Sequence, residues 1–199
     1  MMRILSLAID VIPAGVLATI VIFLLRGRVF KSVPRCLLCA VLAVYLLGVY
    51  SLTGIPSVNG LVVDAGVNFV PLAGIVGDIK NAALNVLLFV PPGILLPLLW
   101  REFRSLPRTA LAGLLLSLGI EILQIFTFRY TDVNDLLTNT AGAVAGFLIA
   151  QVALRGRERI LPGDGSVRKE LATVVALTFA IAFLIQPFIS GALWNLFYT

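Results

Sequence analysis

The chain has 199 residues, 60% of them hydrophobic and 13% charged, with 15 basic against 10 acidic side chains. Apolar content on this scale exceeds what a soluble core of this size can bury, which predicts a polytopic helical membrane protein. The chain has no histidine, which excludes a Ser-His-Asp site and a His-ligated zinc site. The basic excess reads as a topology signal beside helix ends rather than as a nucleic-acid footprint.

Taken in order, residues 5–25 form the first apolar span, interrupted by Asp10 and Pro13. It is long and no small-residue cleavage site follows, so it is read as a retained helix rather than a signal peptide. Asp10 is read as interfacial. A basic turn leads to the second span, 36–52, which opens on Cys36 and Cys39. Without a second cysteine pair or a histidine, this CxxC is read as packed thiols rather than a zinc site. Residues 53–80 make a long connection with a turn signal at Asn59-Gly60. Connections of this length are often functional, and its apolar stretch over 61–76 is expected to fold as a cap or re-entrant segment on the outer membrane surface. The third span, 82–100, carries Pro91-Pro92-Gly93 and is expected to break there. The fourth and fifth spans, 109–126 and 135–154, form a hairpin joined by a short polar turn. A polar loop containing Pro162-Gly163 precedes the sixth span, 171–189, and a short aromatic tail. The expectation is an all-α integral membrane protein, a single domain over 1–199 with about six transmembrane helices. Between helices two and three it carries a folded extracytoplasmic loop. Each span has about the length that crosses roughly 30 Å of hydrocarbon.

Charge sets the expected orientation. Arg26, Arg28, Lys31 and Arg35 follow span one, Arg101, Arg104 and Arg108 follow span three, and five more basic residues lie over 155–169. Only Arg3, Lys80 and Arg129 fall on the other side. The positive-inside rule then predicts both termini outside the cytoplasm.

That orientation gathers the unusual polar residues at one height. Glu121 and Gln124 end the fourth span, Asn81 and Asn85 start the third, and Asp132, Asp135 and Asn139 start the fifth. At 1.5 Å per residue Glu121 lies roughly 8 Å below its helix end. Asp132, Asp135, Asn139, Gly142 and Gly146 follow three- and four-residue spacings, one helical stripe. Gly113, Ser117, Glu121 and Gln124 form a second stripe. The glycines suit close helix packing inside the chain, or else a homodimer face. Carboxylates near membrane depth need partners or a purpose. Three jobs fit. Glu121, Asp132 and Asp135 could supply acid–base pairs. With oxygens of Asn85 and Asn139 they could gather a divalent cation, although no cofactor is expected. Arg129 could grip a phosphate or carboxylate through its forked donors. Against these stands plain structure: Arg129 paired with a neighbouring acid, amides cross-linking helices, and Asp132 or Asn134 as a helix N-cap.

Four stretches resemble the VanZ-like family of bacterial membrane proteins: NFVPL (68–72), LNVLLFVPPG (84–93), EILQ (121–124) and RYTDVNDLLTNTAG (129–142). The ordered set lies within 68–146, and the family's polar residues match Asn68, Asn85, Glu121, Gln124, Arg129, Asp132, Asp135 and Asn139. Some members have phenylalanine where this chain has Leu72 and Pro92. The resemblance implies a link to glycopeptide resistance, notably to teicoplanin, but no biochemical activity. The reading is an outward-facing pocket for an envelope lipid, a lipid-linked precursor or a lipoglycopeptide. Asn68, Asn85, Gln124, Arg129 and Asn139 would bind the ligand and Glu121 would be the buried titratable centre. The alternatives are an intramembrane enzyme working through Glu121, Asp132 and Asp135, a small flippase, and a structural partner subunit.

Overall fold

The computed structural model describes residues 2–63, 66–68, 70, 78–127, 131–155 and 166–198. Its helices are α1 (Met2–Leu24), α2 (Val33–Thr53), α3 (Ile79–Leu99), α4 (Leu106–Gln124), α5 (Val133–Leu154), α6 (Val167–Ala180) and α7 (Gln186–Tyr198). A π-helical turn, Ile181–Ile185, joins α6 to α7, so that Val167–Leu196 forms one apolar span. Among the described residues six helices are then long and apolar enough to cross a membrane, as expected from the hydropathy of the chain. The aromatic tail forms part of α7. Pro187 follows the π-helical turn within the same continuous helix, so the helix lacks one backbone donor there.

Two compact units result, Met1–Val63 with Gly165–Thr199, and Asp64–Asp164. In the first, α1 packs on α2 and α7, and α2 packs on α6. Ala14, Ala18 and Ile22 of α1 are buried, as are Leu47 of α2 and Val174 of α6. Gly54 ends α2 at φ 70°, and its N–H donates to Tyr50 O; that left-handed conformation favours glycine. The Asn59-Gly60 turn forms, with Gly60 N donating to Ser57 O at 3.0 Å. Cys36 and Cys39 are free and buried, as expected for packed thiols. Two features depart from the sequence reading. Arg35 of the basic turn is buried and forms an ion pair with buried Glu170 through Nε and Nη2. Asp10 is not merely interfacial: it accepts hydrogen bonds from Ser51 Oγ at 3.0 Å and Ser190 Oγ at 2.7 Å.

In the second unit α3 and α5 make the most extensive contact, and α4 packs on α5. A Cβ on Gly142 would lie 2.2 Å from Val86 O, and one on Gly146 would lie 2.1 Å from Val90 O. The glycine stripe of α5 therefore packs within the chain, letting two backbones meet. Gly93 fits from the other side, where a Cβ would meet Ala143 O at 2.2 Å. The expected break at Pro91-Pro92-Gly93 does not occur, for α3 runs unbroken through both prolines. Each proline removes a donor from the ladder, and the close seating on α5 holds the backbone in place. A two-residue parallel pair, β1 (Val67–Asn68) with β2 (Thr131–Asp132), was not anticipated. It ties the connection after α2 to the turn before α5. Residues 64–65, 69 and 71–77 of the expected cap, including Leu72, lie outside the described residues, as do 156–165.

Candidate functional site

The polar residues of the second unit meet at one end of the bundle, because three helices place that end there. Asp78 caps α3 by accepting from Asn81 N at 3.3 Å. This sets Asn85 on the second turn of α3. Asp132 caps α5 by accepting from Asn134 N at 2.8 Å, the ordinary N-cap use of an aspartate. This sets Asp135 in the first turn of α5 and Asn139 one turn below it. The carboxyl end of α4 supplies Glu121.

Hydrogen bonds connect these groups across the elements. Asn85 Nδ2 donates to Asp135 Oδ1 at 2.6 Å, joining α3 to α5. Asn68 Nδ2 donates to both carboxylate oxygens of Asp132, at 3.2 and 3.3 Å. Asp132 N donates to Glu121 Oε2 at 3.1 Å, and Thr131 Oγ1 donates to Glu121 O at 3.2 Å. Asn139 Nδ2 donates to Ser117 Oγ at 2.9 Å, joining α5 to α4. Glu121 is 3% exposed and Asn139 is 5% exposed, whereas Asp132 is half-buried. The amide oxygen of Asn139 is buried with no hydrogen-bond partner among the described residues, a costly arrangement unless something else supplies a donor.

Of the residues predicted from sequence, Asn68, Asn85, Glu121, Asp132, Asp135 and Asn139 share this cluster. Gln124 is buried one turn beyond Glu121 on α4. Arg129 lies outside the described residues. Ser117, read from sequence as part of the Glu121 stripe but not as a binding residue, belongs to the cluster, and Thr131 was missed. Ser117 stands one helical turn before Glu121, a spacing that signals a shared face. Thr131 is recognisable only once its strand pairing with Val67 is known. Among the described residues no three acids or cysteines converge as a metal-ligand set.

A model of the VanZ/LLP1 family matches residues 36–154, which contain every member of this cluster. The chain belongs to the VanZ/LLP1 family. It is also similar to Protein VanZ of Enterococcus faecium, with 41% identity over 71 residues. That alignment covers 35% of this chain and 44% of the relative, so the match spans less than half of the relative's length. No solved structure matches the chain. Membership of the VanZ/LLP1 family and six apolar helices make it a multi-pass membrane protein.

Proposed function

We propose that this VanZ/LLP1 protein acts from the inner membrane, with its termini and polar cluster on the extracytoplasmic side. There it binds an envelope lipid, a lipid-linked precursor or a lipoglycopeptide, and so lowers sensitivity to teicoplanin. The resistance role rests on family membership and the VanZ relative. The binding role rests on one observation: a buried glutamate, two aspartates and three side-chain amides converge from five elements of one unit. Anionic and amide groups held by a rigid helical frame can orient the polar head of an amphiphile while its tails stay in lipid. Asn68, Asn85, Gln124 and Asn139 orient the ligand, Arg129 grips its anionic group, and Glu121 is the titratable centre. The test is the minimum inhibitory concentration of teicoplanin for cells producing the wild type, Glu121→Gln or Arg129→Ala. A clear fall in resistance at equal protein level is expected. Unchanged resistance at normal protein level removes both residues from the mechanism.

A second reading is favoured by one detail: the backbone N–H of Asp132 donates to the Glu121 carboxylate, so the two acidic residues are in direct contact. Neighbouring acids can divide acid and base roles, as an enzyme acting on a lipid-linked substrate would need, with or without a divalent cation. Full function in both Asp132→Asn and Asp135→Asn would eliminate it. An altered lipid profile on deletion, with chelator sensitivity, would favour it over binding alone.

A further inference from the structure

The first unit holds a polar cavity of its own, built by residues that the VanZ-like cluster does not use. It measures about 230 Å³ and is lined by Asp10, Tyr50, Ser51, Ala182, Gln186 and Ser190, among others. Asp10 lies within the apolar span Leu5–Leu24, where a carboxylate marks a functional position unless it is paired. Its described partners are hydroxyls, Ser51 and Ser190, one on each carboxylate oxygen. Among the described side chains no lysine or arginine pairs with it.

The backbone at the cavity adds an independent observation. The π-helical turn shifts the hydrogen-bond ladder, so that Gln186 N donates to Ile181 O rather than to Ala182 O. The next residue, Pro187, has no N–H to give. Val58 N, from the loop after α2, reaches over to Phe183 O at 3.0 Å. The helix therefore provides no donor for the Ala182 carbonyl, and Ala182 lines the cavity. Carboxylate, hydroxyl and stripped carbonyl oxygens are the donor types that hard cations take, and opened helix carbonyls serve membrane cation sites in the same way. A single carboxylate gives one negative charge, which suits a monovalent rather than a divalent ion.

We propose that this cavity binds a small monovalent cation, held by the Asp10 carboxylate, Ser51 and Ser190 hydroxyls and the Ala182 carbonyl. The shared chemistry admits a free ion such as sodium or the primary ammonium of an ethanolamine headgroup. The proposal is independent of the function assigned to the other unit. The test follows the melting temperature of the full-length protein in two arms. One arm compares sodium chloride with choline chloride at equal ionic strength, in detergent. The other compares nanodiscs of phosphatidylethanolamine with phosphatidylcholine, whose methylated headgroup cannot donate hydrogen bonds. At tenfold the dissociation constant the bound cation should raise the melting temperature by roughly 3–6 °C. A rise in the first arm identifies a free ion and in the second a lipid ammonium. The rise should vanish in Asp10→Asn. If that variant fails to fold, Pro187→Ala, which returns an N–H near the stripped carbonyl, should weaken the rise in a folded protein. No rise in either arm overturns the proposal, as does a rise that folded Asp10→Asn retains or, where Asp10→Asn does not fold, one that Pro187→Ala leaves unchanged.

Discussion

Replacing Gly146 with alanine tests the central packing of the second unit. The added Cβ would lie 2.1 Å from Val90 O and 2.9 Å from Gly93 Cα. Both obstacles are backbone, so no side chain can swing aside. An ordinary carbon–oxygen approach is about 3.3 Å, so α3 and α5 must part locally by about 1.2 Å. Overpacking of this kind costs about 1–3 kcal/mol, and more where the obstacle is rigid; the upper end applies here. The separation also threatens Asn85–Asp135, a bond of 2.6 Å between the same two helices. Thermal unfolding of the purified protein in detergent should show a fall of roughly 6–12 °C for about 3 kcal/mol. Gly119 and Gly48 provide the control, because a Cβ on either meets nothing within 4 Å. Alanine there should be neutral or should stabilise by up to about 1 kcal/mol through helix propensity. A wild-type melting temperature for Gly146→Ala would show that α3 and α5 do not meet at these glycines.

Truncating one member of the buried Arg35–Glu170 pair takes away the ion-pair partner of the other charge. Arg35→Ala or Glu170→Ala should each lose about 3–5 kcal/mol, measured as lost folded yield or melting temperature, whereas a paired Arg35→Met, Glu170→Leu replacement should recover most of it. Asp132→Ala removes the α5 cap and the link to Asn68, and should cost about 1–2 kcal/mol; Asp132→Asn preserves the capping oxygen and should stay within about 0.5 kcal/mol of wild type. Both cysteines are buried. A membrane-permeant maleimide should therefore leave Cys36 and Cys39 unlabelled in the native protein and label both in denaturing detergent, and rapid native labelling would contradict their packing.

Apolar span lengths alone revealed the six-helix architecture, because bilayer thickness imposes a length that reads directly from composition. The cluster was legible for a related reason. Once spans were placed, the rarity of acids and amides in apolar helices left few positions for Asn85, Glu121, Asp135 and Asn139. Three other features were not legible. The unbroken course of α3 through Pro91 and Pro92 depends on its seat against Gly142 and Gly146, a tertiary contact that overrides local propensity. The Arg35–Glu170 pair joins residues 135 apart, and beside so many basic turn residues Arg35 carried no distinguishing signal. The pairing of β1 with β2 involves two residues each, too short for any alternation to appear.

Whether the cluster is glue or site turns on charge. Its side-chain hydrogen bonds could be made by neutral groups. A glutamine at 121 would still accept from Asp132 N, and an asparagine at 135 would still accept from Asn85 Nδ2. Interhelical hydrogen bonds in membranes average about 0.6 kcal/mol, and acidic side chains within membrane spans are costly to keep. The α3–α5 contact is already secured by backbone-to-backbone packing at its glycines. Carboxyl groups, rather than neutral amides, at Glu121 and Asp135 are therefore surplus to what holds the helices together. Glu121→Gln and Asp135→Asn should keep the wild-type melting temperature or exceed it, while teicoplanin resistance falls. If stability and resistance fall together in both variants, the carboxylates are structural and the binding role is lost.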